Sequence, residues 1–164
     1  MKKYILNCFL LLLPILTWDL LLTSKLPAPY QPGIFQSEIP LIVIYGENIS
    51  RTLLFIVTLL MPLSITSKRQ KQGLLVYLSG LALYFSSWLA LICFPSGAWS
   101  MSAAGFLAPA YTPLLWLTGI ALTGKKFYFN FTYKPWAFIC LSILFVSFHC
   151  LHAFIVYSRL PLLQ

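Results

Sequence analysis

Acidic residues are almost missing from this chain. Asp19, Glu38 and Glu47 are the only three in 164 positions, against 11 Lys and Arg. Charged residues of both signs reach 9%, where a soluble domain carries roughly a quarter. Hydrophobic residues fill 60% of the chain and the mean hydropathy is +0.86. A water-soluble domain of this length could not hide that much apolar surface in one core. In a bilayer it need not, because lipid-facing positions are as apolar as the interior.

Other absences remove whole classes of function. There is no Walker A loop, no G-x-S-x-G elbow, no HExxH, no EF-hand loop and no Gly-rich dinucleotide turn. There is no internal repeat, no low-complexity tract and no stretch polar enough for a soluble domain. The four cysteines, Cys8, Cys93, Cys140 and Cys150, form no CxxC and all fall in apolar stretches. They read as small buried hydrophobes rather than a disulfide framework. Two N-x-[ST] patterns, at Asn48 and Asn130, fall in a span and in a cytoplasmic loop, where neither is a glycosylation acceptor.

What is present is a series of long apolar stretches. A crossing of roughly 30 Å of hydrocarbon takes about 20 apolar residues. Residues 4–22, 41–66, 74–94, 106–122 and 136–157 meet or approach that length, so the expectation is an all-α bundle of five transmembrane helices in a single domain, 1–164. The stretch 106–122 is the shortest and contains Pro109 and Pro113; a re-entrant loop is its alternative. The stretch 4–22 could instead be a cleaved signal peptide, but Asp19 interrupts its end and no convincing small-x-small site follows.

The net charge of +8 points to the membrane rather than to nucleic acid. Eight of the basic residues sit at span ends: Lys2 and Lys3; Lys68, Arg69 and Lys71; Lys125, Lys126 and Lys134. The intervening loops, 23–40 and 95–105, hold only Lys25 and Glu38. By the positive-inside rule this places the amino terminus in the cytoplasm and the carboxyl terminus outside, in a multi-pass protein of the cell membrane. A fourth crossing is what keeps Lys125, Lys126 and Lys134 on the cytoplasmic side. Pro14 and Pro62 read as tolerated kinks within spans. Residues 26–33, with three prolines, read as an extended strap across the outer surface, and 95–105 as a flexible outer loop. Small residues at Ser79, Gly80, Ala82, Ser86, Ser87 and Ala90 mark the third span as a central one.

A few polar residues stand at one depth. Counting about 1.5 Å per residue from the outer span ends puts Asp19 at roughly 5 Å, Glu47 at roughly 9 Å and Arg51 at roughly 15 Å. His152 and His149 lie at roughly 8 and 12 Å by the same count. Charged groups near mid-membrane cost about 2.5–3.5 kcal/mol each, so they face the bundle interior or a water-filled cavity. Glu47 and Arg51 are four apart and can pair, with Asn48 beside them. His149 and His152 are three apart on one face. Two histidines fall short of a structural metal site or a bis-histidine haem, so no metal and no cofactor is expected.

The candidate ligand-contacting residues are therefore Asp19, Glu47, Asn48, Arg51, His149 and His152. The partners in view are the lipid bilayer, another membrane protein or a second copy of the chain, and a small polar or anionic ligand offered to Arg51. Three functions fit: a structural or accessory subunit, a small-ligand binding or transport-type protein, and an enzyme acting on a lipid or lipid-linked substrate from the outer leaflet, with a histidine as acid or base.

Overall fold

The computed structural model describes residues 6–129 and 132–160. Lys2, Lys3 and the Asn130 pattern lie outside them. The described residues form helices and no strand. The first apolar stretch is a 3-10 turn, Cys8–Leu11, leading into α1, Leu13–Leu22, and a second 3-10 turn, Thr23–Lys25. Then come α2, Leu41–Leu60; α3, Lys68–Cys93; α4, Pro113–Thr123; and α5, Pro135–Arg159. Four helical stretches are long and apolar enough to cross a membrane: Cys8–Lys25, α2, α3 and α5.

Proline chemistry explains where the helices differ from the sequence expectation. Pro62 is no kink: α2 stops at Leu60, and Met61 is extended at φ −100°, ψ 113°. A proline clashes with the preceding turn and pushes the residue before it out of the helical region. The chain that follows Leu60 pairs briefly with the amino-terminal segment, through Cys8 N to Met61 O (2.8 Å) and Leu63 N to Leu6 O (3.0 Å). Pro14 lies in the first turn of α1, where a missing N–H costs nothing. In residues 106–122 the prolines break one helix into two, Ala108–Tyr111 and α4, with Pro109 and Pro113 each in a first turn.

The third helix begins six residues before the expected span because Ser67 and Gln70 form a capping box. Gln70 is fully buried, and its amide nitrogen also donates to Ser64 Oγ (2.9 Å) and Thr123 O (3.0 Å). One side chain thus ties the 61–67 linker to the end of α4. Arg69 adds a bond to Gly124 O (2.9 Å).

Packing proceeds in two pairs. The antiparallel pair α3 and α4 is the closest: Gly73 lies against Leu122 and Thr123, Gly80 against Leu115 and Trp116, and Gly119 against Tyr77. A Cβ on Gly119 would sit 2.3 Å from the Tyr77 backbone nitrogen, so the contact exists only because the side chain is absent. The other pair is α2 and α5, where Gly46 receives the ring of Phe148. The first stretch is held by two tyrosines seven apart on α3: Tyr77 OH donates to Leu11 O (2.8 Å) and Tyr84 OH to Asp19 Oδ1 (2.7 Å). Trp18 stacks on Phe85 at 4.0 Å between ring centroids. Hydroxyls within the helices bond back to their own backbone, as Ser50 to Gly46 O (2.6 Å) and Ser142 to Phe138 O (2.8 Å), which hides them from lipid.

The ends of the bundle differ in charge. Lys68, Arg69, Lys71, Lys125 and Lys126 share one end with the 61–67 linker. The other end gathers residues 23–40 and 94–106 with the end of α5. There the strap expectation gives way: residues 28–35 form a 3-10 turn, Ala28–Tyr30, and a helical turn, Pro32–Phe35, each with a proline in its first two positions. The 95–105 loop is likewise built of turns, Ala98–Met101 and Ala103–Phe106, the second capped by Ser102. Arg159 donates to Ser37 O (2.6 Å) and Glu38 O (2.5 Å), closing the terminal turn of α5 onto this end.

Gly119→Ala is expected to lower the thermal midpoint of the purified protein by several degrees and to reduce its folded yield. Gly33→Ala, whose Cβ would meet nothing within 4 Å, is expected to leave both unchanged. Fluorescence-detected size exclusion after a heat series measures the difference.

Candidate functional site

The site is built around Glu47. The inward face of α2 runs Val43, Glu47, Ser50, Leu54 and Thr58, spaced three and four apart. That pattern carries the carboxylate inward with the apolar residues, and Glu47 ends only 4% exposed. The matching stripe on α5 runs Phe138, Ser142, Phe145 and His152. Packing the two stripes sets the carboxylate against both histidines.

Three donors converge on the two oxygens of Glu47. Arg51 Nη2, one turn along α2, pairs with Oε1. His149 Nδ1 lies 3.2 Å from the same oxygen, and His152 Nδ1 lies 2.7 Å from Oε2. The other ring nitrogen of His152 donates to the backbone carbonyl of Phe35 (2.9 Å), whose ring stacks on the imidazole at 4.4 Å. A carbonyl can only accept, so Nε2 carries a hydrogen. One proton is then shared between Nδ1 and the carboxylate. His152 thereby joins three parts of the chain: α5, α2 and the outer turn Pro32–Phe35.

Arg51 is held at several points. Its Nη2 also bonds Asn48 Oδ1 (3.2 Å), and its guanidinium stands 5.9 Å from the centre of the Phe145 ring. Its Nε is buried without a hydrogen-bond partner among the described residues, as is Nε1 of both Trp88 and Trp116.

Asp19 is not part of this network. Its one side-chain hydrogen bond is the donation from Tyr84, and it has no ion pair among the described residues. It reaches the network through space. Two cavities of about 220 Å³ each share Asp19, Tyr84 and His149 in their walls. The deeper one lies between α1, α2 and α4 and takes in Arg51, Thr58, Pro113, Trp116 and Phe145. The outer one lies beneath residues 23–35 and takes in Tyr30, Phe35, Trp88, Phe106 and Pro109. Tyr30 closes it from above by donating to Phe106 O (2.7 Å). Burial pushes the Tyr30 phenol well above its usual range, so the group stays a donor.

Of the residues singled out by sequence, Glu47, Arg51, His149 and His152 meet directly, Asn48 touches Arg51, and Asp19 joins them only across the cavities. Sequence reasoning missed Tyr84, Trp88, Trp116 and Phe35. A signal for Tyr84 was present, since a buried tyrosine hydroxyl in a span must find an acceptor. The Phe35 carbonyl left none. His149 has the arrangement of an oriented base, with Nδ1 toward a carboxylate and no hydrogen-bond partner for Nε2 among the described residues. Comparison of the chain with protein-family models, with curated proteins and with solved structures found no match.

Glu47→Gln is expected to lower the unfolding free energy by about 3 kcal/mol, because it leaves a guanidinium and an imidazole without their counter-charge. Combining it with Arg51→Met should recover part of that loss, with a coupling of about 1–2 kcal/mol. Reversible unfolding of the purified proteins in mixed micelles reads both values.

Proposed function

We propose that this is a small multi-pass protein of the cell membrane that binds a small ligand from the outer face, in cavities lying in the outer half of the bilayer. The observation that carries the reading is the meeting of polar groups from four helices at one pair of cavities. Asp19 comes from α1, Arg51 from α2, Tyr84 from α3 and His149 from α5. A purely structural role accounts for Glu47 and His152, whose hydrogen-bonding groups are all engaged within the protein. It does not account for a carboxylate and an imidazole edge placed together at empty space.

The five-crossing topology belongs to this proposal. Residues 106–123 run antiparallel beside α3 from Gly73 to beyond Gly80, which supports a fourth crossing made of two helical pieces. The concentration of lysine and arginine at the end shared by the 61–67 linker and residues 124–126 supports a cytoplasmic position for that end. The cavities then face outward. A second reading, proton transfer to or from a lipid-linked substrate, is favoured by the Nε2 of His149, which has no hydrogen-bond partner among the described residues.

Single cysteines test the arrangement in a chain whose Cys93, Cys140 and Cys150 are alanine; Cys8 is fully buried and stays. Thr23→Cys, half-buried in the wall of the outer cavity, is expected to react with a membrane-impermeant maleimide added to intact cells. Lys126→Cys should react only in inverted vesicles, and Leu20→Cys, 82% exposed on the apolar surface, in neither. A Thr23→Cys protein that folds and stays unreactive would sink the outward cavity.

A further inference from the structure

The chemistry of the outer cavity selects a ligand, and the selection rests on the reading that the cavities are ligand sites. Five of its twelve lining residues are aromatic: Tyr30, Phe35, Tyr84, Trp88 and Phe106. Its acidic group is Asp19, whose one side-chain hydrogen bond among the described residues, from Tyr84 to Oδ1, leaves the second oxygen open. No lysine or arginine lines it, and its basic side chain, His149, turns Nδ1 to Glu47. Arg51, the nearest candidate for an anion, lines the deeper cavity instead and is already engaged by Glu47 and Asn48.

The geometry points to a small organic ammonium ion as the ligand of the outer cavity, with Asp19 as its counter-charge and the aromatic side chains as its walls. Ring faces are the negative part of an aromatic quadrupole and attract alkylammonium groups, which shed water easily. A hard divalent ion would need several oxygen ligands, and this wall offers chiefly one carboxylate among apolar surfaces. A neutral ligand would leave Asp19 with no direct ion-pair partner, only the Tyr84 hydroxyl and the through-space influence of His149 and Arg51. The volume, about 220 Å³, is below the roughly 300–1,000 Å³ of sites for drug-sized molecules, so the ligand is small. The proposal differs from the small polar or anionic ligand expected on Arg51 from sequence by placing a cation on Asp19.

The experiment uses the full chain in lipid nanodiscs, in the same cysteine background, with Thr23→Cys as reporter, its maleimide labelling rate read against added choline, the neutral isostere 3,3-dimethyl-1-butanol, and inorganic phosphate. Choline is expected to slow labelling saturably by at least fivefold, while the other two at equal concentration leave it unchanged. Asp19→Asn should raise the half-protecting choline concentration at least tenfold without altering the unprotected rate. Asp19→Glu, which keeps the charge, should stay within a few-fold of the parent and guards against a folding defect in the amide. Trp88→Leu should weaken protection by choline while leaving the labelling rate itself in place. Protection by phosphate, equal protection by the neutral isostere, or protection indifferent to Asp19→Asn would overturn the ammonium assignment. Labelling that none of the three slows would overturn it as well and leave the outward cavity standing. Absence of labelling in a folded protein would overturn both.

Discussion

A carboxylate sunk in the apolar face of a helix cannot be left alone, and Glu47 organises this protein for that reason. In hydrocarbon the alternative to a hydrogen-bonded partner is an unscreened charge, at a cost comparable to a large part of a small protein's stability. Glu47 draws donors from its own helix, through Arg51, and from α5, through both histidines. Satisfying them fixes the rotation and the axial register of α2 against α5 together, because a slip of one turn would leave at least one donor unpaired. His152 carries the constraint outward to Phe35, so the outer turn is positioned by the same charge that positions the helices.

The polar groups divide by how completely they are satisfied. Glu47 and His152 have every hydrogen-bonding group spoken for, and they act as fasteners. Gln70 does the same at the opposite end of α3, where it joins the 61–67 linker to the end of α4. Asp19 and His149 are only half engaged, and both face open volume. Buried networks are ordinarily closed, since each open donor or acceptor is costly. An open edge beside a closed network therefore marks the place where something else completes the bonding. The first helical stretch, which carries Asp19, is also the least enclosed of the membrane-spanning candidates. It is retained by the tyrosines of α3 and by ring stacking rather than by a wide packed face.

How far this was legible in the sequence depends on the range of the interaction. Short-range spacing was readable: Glu47 and Arg51 one turn apart, and His149 and His152 on one face. Depth counting was readable too, because helix rise is constant, and it brought those four residues to one level. The capping box at Ser67 and Gln70 stood in the sequence as S-x-x-Q and sets where α3 begins. Proline misled in two ways. Pro62 read as a kink and is a helix end: Met61 before it is extended, and the last carbonyls are taken by Met61 N on Thr58 O and Tyr128 N on Leu60 O. The prolines of residues 27–32 read as an extended strap, yet Pro29 and Pro32 each sit in the first positions of a short turn, where the ring fits a helix, and only Pro27 stays extended. The pairing of Asp19 with Tyr84 was beyond reach, because it depends on which helices are neighbours. Residues 65 positions apart carry no local signature of contact.

The broken fourth segment and the cavities have one origin. A continuous helix over residues 106–123 would present an unbroken row of side chains to α1, α3 and α5 and fill the space between them. Pro109 and Pro113 prevent it, and each lines one of the two cavities: Pro109 the outer, Pro113 the deeper. The break falls at Thr112, whose hydroxyl returns to Ala108 O (2.7 Å) and covers a backbone carbonyl at the junction. Membrane helices tolerate such irregular backbone where it is buried in protein or borders a cavity, and here it does both. The space is thus made by proline in one helix, while the charge that faces it comes from α1 and the rigidity that keeps it open comes from the Glu47 network between α2 and α5.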